Sequence, residues 1–388
     1  MPLENLVPIS EALALEVSAM NEQKIGANLH VHTQEKGRPT LDGINLALIG
    51  VRENRESDEE SNTPVSFDSV RRAFYNLYPG NWHTGIADLG DIEAGASLED
   101  TFFAIKKLTE TLFKKNIIPL YLGGSHHLTY AMYRGYDKLD QMVNLVNVDA
   151  CFDLGDSTKP MSKSSYIGKV IIDKPYNLFN YANLGYQSFL NSQEEIALMD
   201  KLYFDSFRMG DLVSDMTLVE PVLRDADVVS MDLAAIESRA VGYMHEHRPN
   251  GLNSREICAV ARYAGISDRV SSFGIFEFTE MGKIATSSNL VAQIFWYFIE
   301  GVNYRVNELV PELRAGFLHY AVPVDDEVLS FYKSERTGRW WIEIPFLDGF
   351  NNKLKRHTLL PCTYQDYENA CNQEIPECWF KARQKNEL

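Results

Sequence analysis

The sequence has little cysteine, no stretch rich in lysine and arginine, and no long uninterrupted apolar segment. Its five cysteines are scattered over 388 residues, which indicates reduced thiols in a cytoplasmic protein rather than a disulfide framework. The formal net charge of −17, without a basic stripe, argues against nucleic acid or an anionic membrane as a partner. The longest apolar stretch, 290–299, is too short to span a bilayer, and the first residues lack the basic region of a secretory signal.

The length and composition predict a globular protein larger than an ordinary single domain. Of its residues, 45% are hydrophobic and 23% charged, as in most globular proteins. Strand-like runs alternate with helical segments through the middle, which is typical of a parallel sheet with crossover helices. Strands predicted there include residues 45–51, 169–172, 181–185 and 203–206. We predict an N-terminal extension, an α/β core domain, and a C-terminal α+β extension packed on the core: residues 1–40, 41–315 and 316–388.

Four further apolar runs each end in a residue that can bind a metal or carry out acid–base chemistry. The carboxyl ends of strands in a parallel sheet open onto one crevice, where ligands bind. We therefore expect five side chains to meet there: His126, Asp149, Asp153, Asp232 and Glu277. A single acid after a strand is more often a helix cap or a turn residue, but that explanation fits the whole set poorly. One imidazole with several carboxylates suits a hard divalent cation.

The order and spacing of these motifs resemble those of the ureohydrolase family, which comprises arginases, agmatinases and formimidoylglutamases. That family carries Gly-Gly-Asp-His-Ser, Asp-Ala-His-x-Asp and Ser-x-Asp-x-Asp at successive strand ends. Here residues 123–127 are Gly-Gly-Ser-His-His, residues 149–153 are Asp-Ala-Cys-Phe-Asp, and residues 230–234 are Ser-Met-Asp-Leu-Ala. Residues 251–256 and 275–277 resemble two further family segments. The likeness covers roughly residues 40–310.

The resemblance implies a three-layer α/β/α sandwich around a parallel sheet of about eight strands. It also implies two Mn²⁺ ions bridged by a hydroxide that attacks the amidine carbon of a substrate. Asp149 and Asp232 would bridge the ions, and His126 and Asp153 would complete the first ion's ligands. Glu277 would contact the guanidinium or amidine group, which makes Glu277 and Asp153 the candidate catalytic residues. Relatives form trimers and hexamers, so a homo-oligomer is expected.

Three positions depart from the family pattern and make this chain a divergent member. The second ion's own ligands are replaced by Cys151, a soft donor poorly suited to Mn²⁺, and by Ala234, which has no donor. A His-Gly pair that assists proton transfer in the family is matched here by Ile167-Gly168. We therefore expect one manganese ion rather than two, with another divalent metal as an alternative.

Three histidines are candidates to compensate for the lost ligands. His127 directly follows the ligand histidine, while His245 and His247 lie in a loop between the later motifs. The competing interpretation makes His127 an interior histidine with its hydrogen bonds satisfied, and the two loop histidines solvated. For Cys151 the competing interpretation is a small buried hydrophobe.

Two functions stay open. The first is a divergent metal-dependent hydrolase, in which metal-activated hydroxide attacks the amidine carbon and a C–N bond of a small guanidino or formimidoyl compound is cleaved. The second is a pseudoenzyme, an inactive binding or scaffold protein that retains at most one metal. In the scaffold alternative, Trp340 or Trp341 would be exposed for partner contacts. A nucleotide-binding role is weaker, because Gly123-Gly124 lacks the spacing of a phosphate-binding loop.

Overall fold

A computed structural model describes most of the chain: residues 2–55, 66–139, 141–156, 158–238, 249–278, 285–308, 316–344 and 359–387. Over these residues the central element is a ten-stranded sheet in the order β1-β4-β3-β5-β10-β9-β6-β7-β8, with β2 beside β4. The run from β4 to β8 contains eight parallel strands. Its strands are β1 (Leu6–Val7), β2 (His30–Val31), β3 (Leu46–Arg52), β4 (Ile86–Glu93), β5 (Ile118–Gly123), β6 (Val143–Val148), β7 (Leu178–Tyr186), β8 (Asp205–Arg208), β9 (Val228–Asp232) and β10 (Ser272–Phe276).

Helices connect these strands and cover the sheet. In the part of the chain that the structure describes, the helices are α1 (Glu11–Ser18), α2 (Ile25–Asn28), α3 (Asp68–Tyr75), α4 (Leu98–Phe113), α5 (Leu128–Arg134), α6 (Tyr166–Ile172), α7 (Gln193–Lys201), α8 (Met209–Ser214), α9 (Val219–Arg224), α10 (Ser254–Ile266), α11 (Ala285–Asn303), α12 (Tyr364–Cys371) and α13 (Glu377–Glu387). Short 3₁₀ helices lie at Pro2–Asn5, Met216–Leu218 and Leu233–Ala235. None of the helices described is long and apolar enough to cross a membrane.

Alternation along the central strands places apolar side chains on both faces of the sheet. In β3, Leu46 and Leu48 belong to one hydrophobic cluster, whereas Ala47 and Ile49 belong to the other. A parallel sheet covered by helices on both faces has this pattern, because successive side chains point to opposite faces. The predicted α/β fold with about eight parallel strands is therefore confirmed.

One predicted strand is wrong. Residues 169–172 lie in helix α6 instead. Their β-branched residues, Val170, Ile171 and Ile172, suggested a strand, but β propensity depends on packing against neighbours. Here Val170 is fully buried and Ile172 is 47% exposed, so one face of a helix meets the core. The other three predicted strands correspond to β3, β7 and β8.

The C-terminal region forms a second, antiparallel sheet. Its strands, in order, are β11 (Phe317–Val324), β12 (Glu327–Ser334), β13 (Trp340–Glu343) and β14 (Leu359–Cys362). Arg224 of α9 joins this sheet to the core, because its Nη2 donates to the Trp340 carbonyl at 3.0 Å and to the Cys362 carbonyl at 3.3 Å. Trp340 and Trp341 are buried, at 7% and 1% exposure, so the expectation that they are exposed is wrong.

The first forty residues contribute to the main sheet as well. β1 pairs with β4 in antiparallel orientation and β2 pairs with β4 in parallel orientation. β1 and β2 have two residues each. Strands of that length are too short to show a periodic pattern in the sequence. The division into regions at residues 40 and 315 stays a prediction.

Candidate metal centre

Four adjacent strands of the main sheet carry the predicted site residues at their carboxyl ends. The strands lie in the order β5-β10-β9-β6. His126 follows β5, Asp149 follows β6, Asp232 ends β9, and Glu277 follows β10. Because neighbouring parallel strands end at the same edge, residues separated by about 150 positions of sequence meet in one crevice.

Three carboxylates face one imidazole nitrogen. His126 Nδ1 lies 3.1 Å from Asp149 Oδ2, 3.5 Å from Asp153 Oδ2 and 3.7 Å from Asp232 Oδ2. One donor atom from each of His126, Asp149 and Asp153 lies within 4.8 Å of the others. Atoms that share a small divalent cation at about 2.1 Å lie roughly 3 to 4 Å apart. The spacing therefore fits a single cation.

The other ring nitrogen of His126 is held from behind. His126 Nε2 lies 2.9 Å from Ser230 Oγ, which in turn lies 2.5 Å from Thr129 Oγ1. A hydrogen bond at one ring nitrogen fixes the orientation of the ring and leaves the other nitrogen for a metal. The contact to Ser230 therefore keeps Nδ1 directed at the carboxylates.

Backbone amides orient two of the acids. Asp149 Oδ1 accepts a hydrogen bond from Cys151 N at 3.0 Å, and Asp232 Oδ1 accepts one from Ala234 N at 2.6 Å. Asp149 Oδ2 is buried and lies 3.1 Å from His126 Nδ1, without the geometry of a hydrogen bond to a described residue. A buried carboxylate oxygen without a hydrogen bond is costly, and a bound cation would satisfy it.

The cluster buries more negative than positive charge. Burial, followed by the charge of Asp149, raises the pKa of Asp232 to about 7. Burial and the same neighbour raise the pKa of Asp153 well above its usual value. Burial opposes protonation of His126, but its contacts with Asp149 and Asp153 outweigh burial and raise its pKa. These shifts reflect like charges crowded in a low dielectric, which a divalent cation would relieve.

Two of the site residues adopt left-handed backbone conformations. Asp153 has φ 54° and Glu277 has φ 58°, a region that residues other than glycine seldom occupy and that is frequent at functional sites. Glu277 is half-buried, and its Oε1 accepts a hydrogen bond from His126 N at 2.8 Å. Glu277 therefore contacts the backbone of His126.

Comparisons with known proteins agree with this geometry. The sequence model of the arginase family matches residues 44–300, about two thirds of the chain. The chain belongs to the arginase family. This confirms the ureohydrolase resemblance expected from the strand-end motifs.

Similar relatives are formimidoylglutamases. The protein of that name from Streptococcus gordonii is 24% identical over 283 residues, covering 67% of this chain and 85% of its own length. Among solved structures, Bacillus subtilis formimidoylglutamase has a TM-score of 0.60 at 18% identity and covers 68% of this chain and 88% of its own. Trypanosoma cruzi formiminoglutamase with Mn²⁺ has a TM-score of 0.62 at 13% identity, covering 73% and 99%. The structural matches show the shared fold.

Compared with the family pattern, the two positions predicted to complete the second ion's ligands lack suitable donor side chains. Cys151 is half-buried and forms no disulfide, and Ala234 has no donor in its side chain. The described residues contain one group of three or more potential ligands, the group around His126. The chemistry of these residues does not fit a second hard cation.

Of the three candidate compensating histidines, His127 lies among the described residues and does not supply a missing ligand there. His127 is fully buried, its Nδ1 contacts Ser125 Oγ, and its ring meets Phe102 of α4 edge-on at 5.4 Å. Burial lowers the pKa of His127 to about 4, so the ring is neutral. It is not part of the group around His126. His245 and His247 lie outside the described residues.

Sequence reasoning missed Tyr166. Its hydroxyl lies 3.4 Å from His126 Nδ1 and 3.3 Å from His126 Nε2, and Asn147 Nδ2 donates to that hydroxyl. Tyr166 is fully buried at the start of α6. Tyr166 directly precedes Ile167-Gly168, the segment matched to the family's His-Gly pair. This position in the sequence could have identified Tyr166 as a candidate site residue.

Proposed function

We propose that this arginase-family protein is a metal-dependent hydrolase that cleaves a C–N bond of a guanidino or formimidoyl compound. The observation that carries the proposal is the approach of three buried carboxylates to His126 Nδ1 at 3.1 to 3.7 Å. The formimidoylglutamase relatives support the amidine substrate class.

We assign one divalent cation, manganese or another hard ion, to four residues: His126, Asp149, Asp153 and Asp232. When bound, such an ion lowers the pKa of a coordinated water and polarises the substrate's C=N group. The unsatisfied Asp149 Oδ2 and the excess of buried carboxylates support this assignment. Because Cys151 and Ala234 do not fit a second ion, the proposed chemistry uses none.

Two acids would act on the substrate. Glu277 is half-buried and directly follows β10. Its carboxylate is the group that pairs well with a planar amidinium cation. Asp153 is the proposed proton carrier. Water adds its oxygen to the carbon of the amidinium cation and gives up two protons, the first as it attacks and the second from the resulting hydroxyl group. Asp153 would pass these protons to the departing nitrogen as the C–N bond breaks, so that the amine leaves as an ammonium ion and the carbon becomes a carbonyl. A formimidoyl compound would thus give an amine and formamide.

The alternative is an inactive family member that binds ligands or partners. The loss of donor side chains at Cys151 and Ala234 favours this alternative, because the chemistry of the family uses two metal ions as a pair. The intact group around His126 favours hydrolysis with one ion. Turnover of guanidine or amidine substrates distinguishes the hydrolase from the inactive family member.

The test combines metal analysis with turnover. Protein loaded with Mn²⁺ is expected to hold about one ion per chain and to release urea, ammonia or formamide from a panel of guanidines and amidines. Asp232→Ala should lose both the ion and the turnover, whereas Asp200→Ala, at an exposed position in α7, should keep both. A protein that holds the ion but turns over nothing in the panel would support the inactive alternative.

A further inference from the structure

A cavity of about 500 Å³ lies between the main sheet and the C-terminal region, away from the metal centre. Asn144 near the start of β6 and Asp205 at the start of β8 line it from the core. β14 and α13 line it from the C-terminal region. Asn144 precedes Asp149 by five residues along β6, which is about 16 Å. Pockets of this volume at the junction of two structural units commonly bind small molecules.

The lining combines an apolar wall with an excess of carboxylates. Phe179, Phe207 and Val222 belong to the apolar part. Five acids and two lysines also line the cavity: Asp205, Asp211, Asp225, Asp366, Glu377, Lys381 and Lys385. A ligand with a hydrocarbon body and a positive charge matches such a lining.

Both lysines are already engaged within the protein. Lys381 Nζ lies 2.8 Å from Glu377 Oε1 and 3.3 Å from Asp205 Oδ1. Lys385 Nζ donates to Asn180 Oδ1 at 2.6 Å. These ammonium groups, together with Arg269 Nη1 at 3.5 Å from Asp225 Oδ1, neutralise part of the acidic lining. Five carboxylates against three cationic side chains still leave an excess of negative charge around the cavity.

Asn144 supplies an independent indication that a donor is missing. It is 3% exposed, and its Oδ1 has no hydrogen-bond partner among the residues described. Its Nδ2 donates to Asp225 Oδ2 at 2.6 Å and to the Asp225 carbonyl at 3.0 Å, which fixes the orientation of the amide. Buried polar atoms are nearly always paired, so a donor bound at this cavity wall would satisfy the Asn144 acceptor.

We propose that this cavity is a second binding site, which takes a small organic ammonium ion with a hydrocarbon body. The ammonium group donates up to three hydrogen bonds and would meet the acidic lining, while the hydrocarbon body contacts the apolar wall. The site includes residues of the C-terminal region, which lies beyond the part of the chain that the arginase-family model matches. This site stands independently of the proposed hydrolase activity.

Binding is tested with 2-phenylethylamine, which has an ammonium group at neutral pH but neither a guanidine nor an amidine. Titration calorimetry on the full chain should show one saturable site, and the melting temperature should rise by about 2 °C or more at saturation. The matched anion 3-phenylpropionate and the neutral 2-phenylethanol should bind at least about tenfold more weakly, because neither brings a positive charge to the carboxylates. Equal binding of all three probes, or binding of none, overturns the proposal.

Variants locate the bound probe. Val222→Trp should abolish binding by filling the cavity from α9, and Asp211→Asn, at an exposed position, should weaken binding without threatening the fold. Asp232→Ala at the metal centre should leave binding of the amine unchanged. If both cavity variants bind the amine as the native protein does, or if Asp232→Ala loses binding, the amine binds elsewhere and the proposal fails.

Discussion

The two predicted sets of metal-ligand positions differ in the side chains that this sequence retains. His126 and Asp153 remain in the first set, whereas Cys151 and Ala234 occupy the second. The backbone N–H group of Cys151 still donates to Asp149 Oδ1, and that of Ala234 donates to Asp232 Oδ1. Any residue except proline can provide that N–H, so side chains could be lost from the second set without disturbing the acids needed by the first.

The largest effect is expected from removing the histidine of the intact set. His126→Ala should lower metal affinity beyond detection and reduce kcat/KM by at least about 1,000-fold, because metal activation supplies several kcal/mol. Metal content and turnover of amidine substrates measure both effects. His83→Ala, at an exposed position, is the matched control. Full metal content in His126→Ala would refute the assignment of this residue as a ligand.

Restoring the depleted set should change the number of ions. The double variant Cys151→His with Ala234→Asp supplies an imidazole and a carboxylate while keeping both backbone amides. We expect metal content to rise from about one to about two ions per chain. The two single variants are the controls and should stay nearer one ion. If the double variant also stays at one, features other than these two side chains prevent the second ion from binding.

The pH dependence of the metal-free protein should report the buried charges of the intact set. The pKa of Asp232 is raised to about 7 from 3.8, so the folded state binds a proton that the unfolded state releases between these values. Stability should therefore fall as pH rises from about 5 to 8, by roughly 2 to 4 kcal/mol. The raised pKa of His126 acts in the same direction, because the stability it adds below pH 6.5 is lost above its folded pKa.

Urea unfolding in the presence of a chelator at several pH values measures this slope. Asp232→Asn should reduce the slope, because the amide has no proton to release in this range, while the contribution of His126 remains. Added Mn²⁺ should also reverse the loss at high pH, since a cation favours the ionised carboxylates. A metal-free protein whose stability rises between pH 5 and 8 would contradict the burial of excess acid in the folded state.

The sequence predicted the features that depend on local pattern. Apolar runs ending in polar residues located β5, β6, β9 and β10, and the parallel arrangement then brought their ends together. The features it missed depend on tertiary packing. Residues 170–172 have β-branched side chains but lie in a helix, in which Val170 packs into the core. Trp341 is 1% exposed and has the Arg224 guanidinium carbon 4.3 Å from the centroid of its indole ring, and no sequence pattern relates two residues so far apart.

Tyr166 belongs to the same class of missed features, and it gives the smallest expected effect. Tyr166→Phe removes the hydroxyl that lies 3.3 Å from His126 Nε2 and 3.4 Å from Nδ1, while keeping the ring that packs at 5.2 Å from the imidazole. Groups that support a metal ligand typically change affinity by 10- to 100-fold. Ser230 Oγ also contacts the His126 imidazole, at Nε2. We therefore expect Tyr166→Phe to bind the metal about tenfold more weakly than the native protein.

The matched control is Tyr133→Phe, which removes a buried hydroxyl bonded to Asn177 Oδ1 at 2.7 Å, remote from the carboxylates. Both variants lose one buried tyrosine hydroxyl, so a similar loss of unfolding free energy is expected. Only Tyr166→Phe should weaken metal binding, as measured by competition with a chelator. Equal metal affinity in the two variants would show that Ser230 alone orients His126, and the intact set would then need no support from α6.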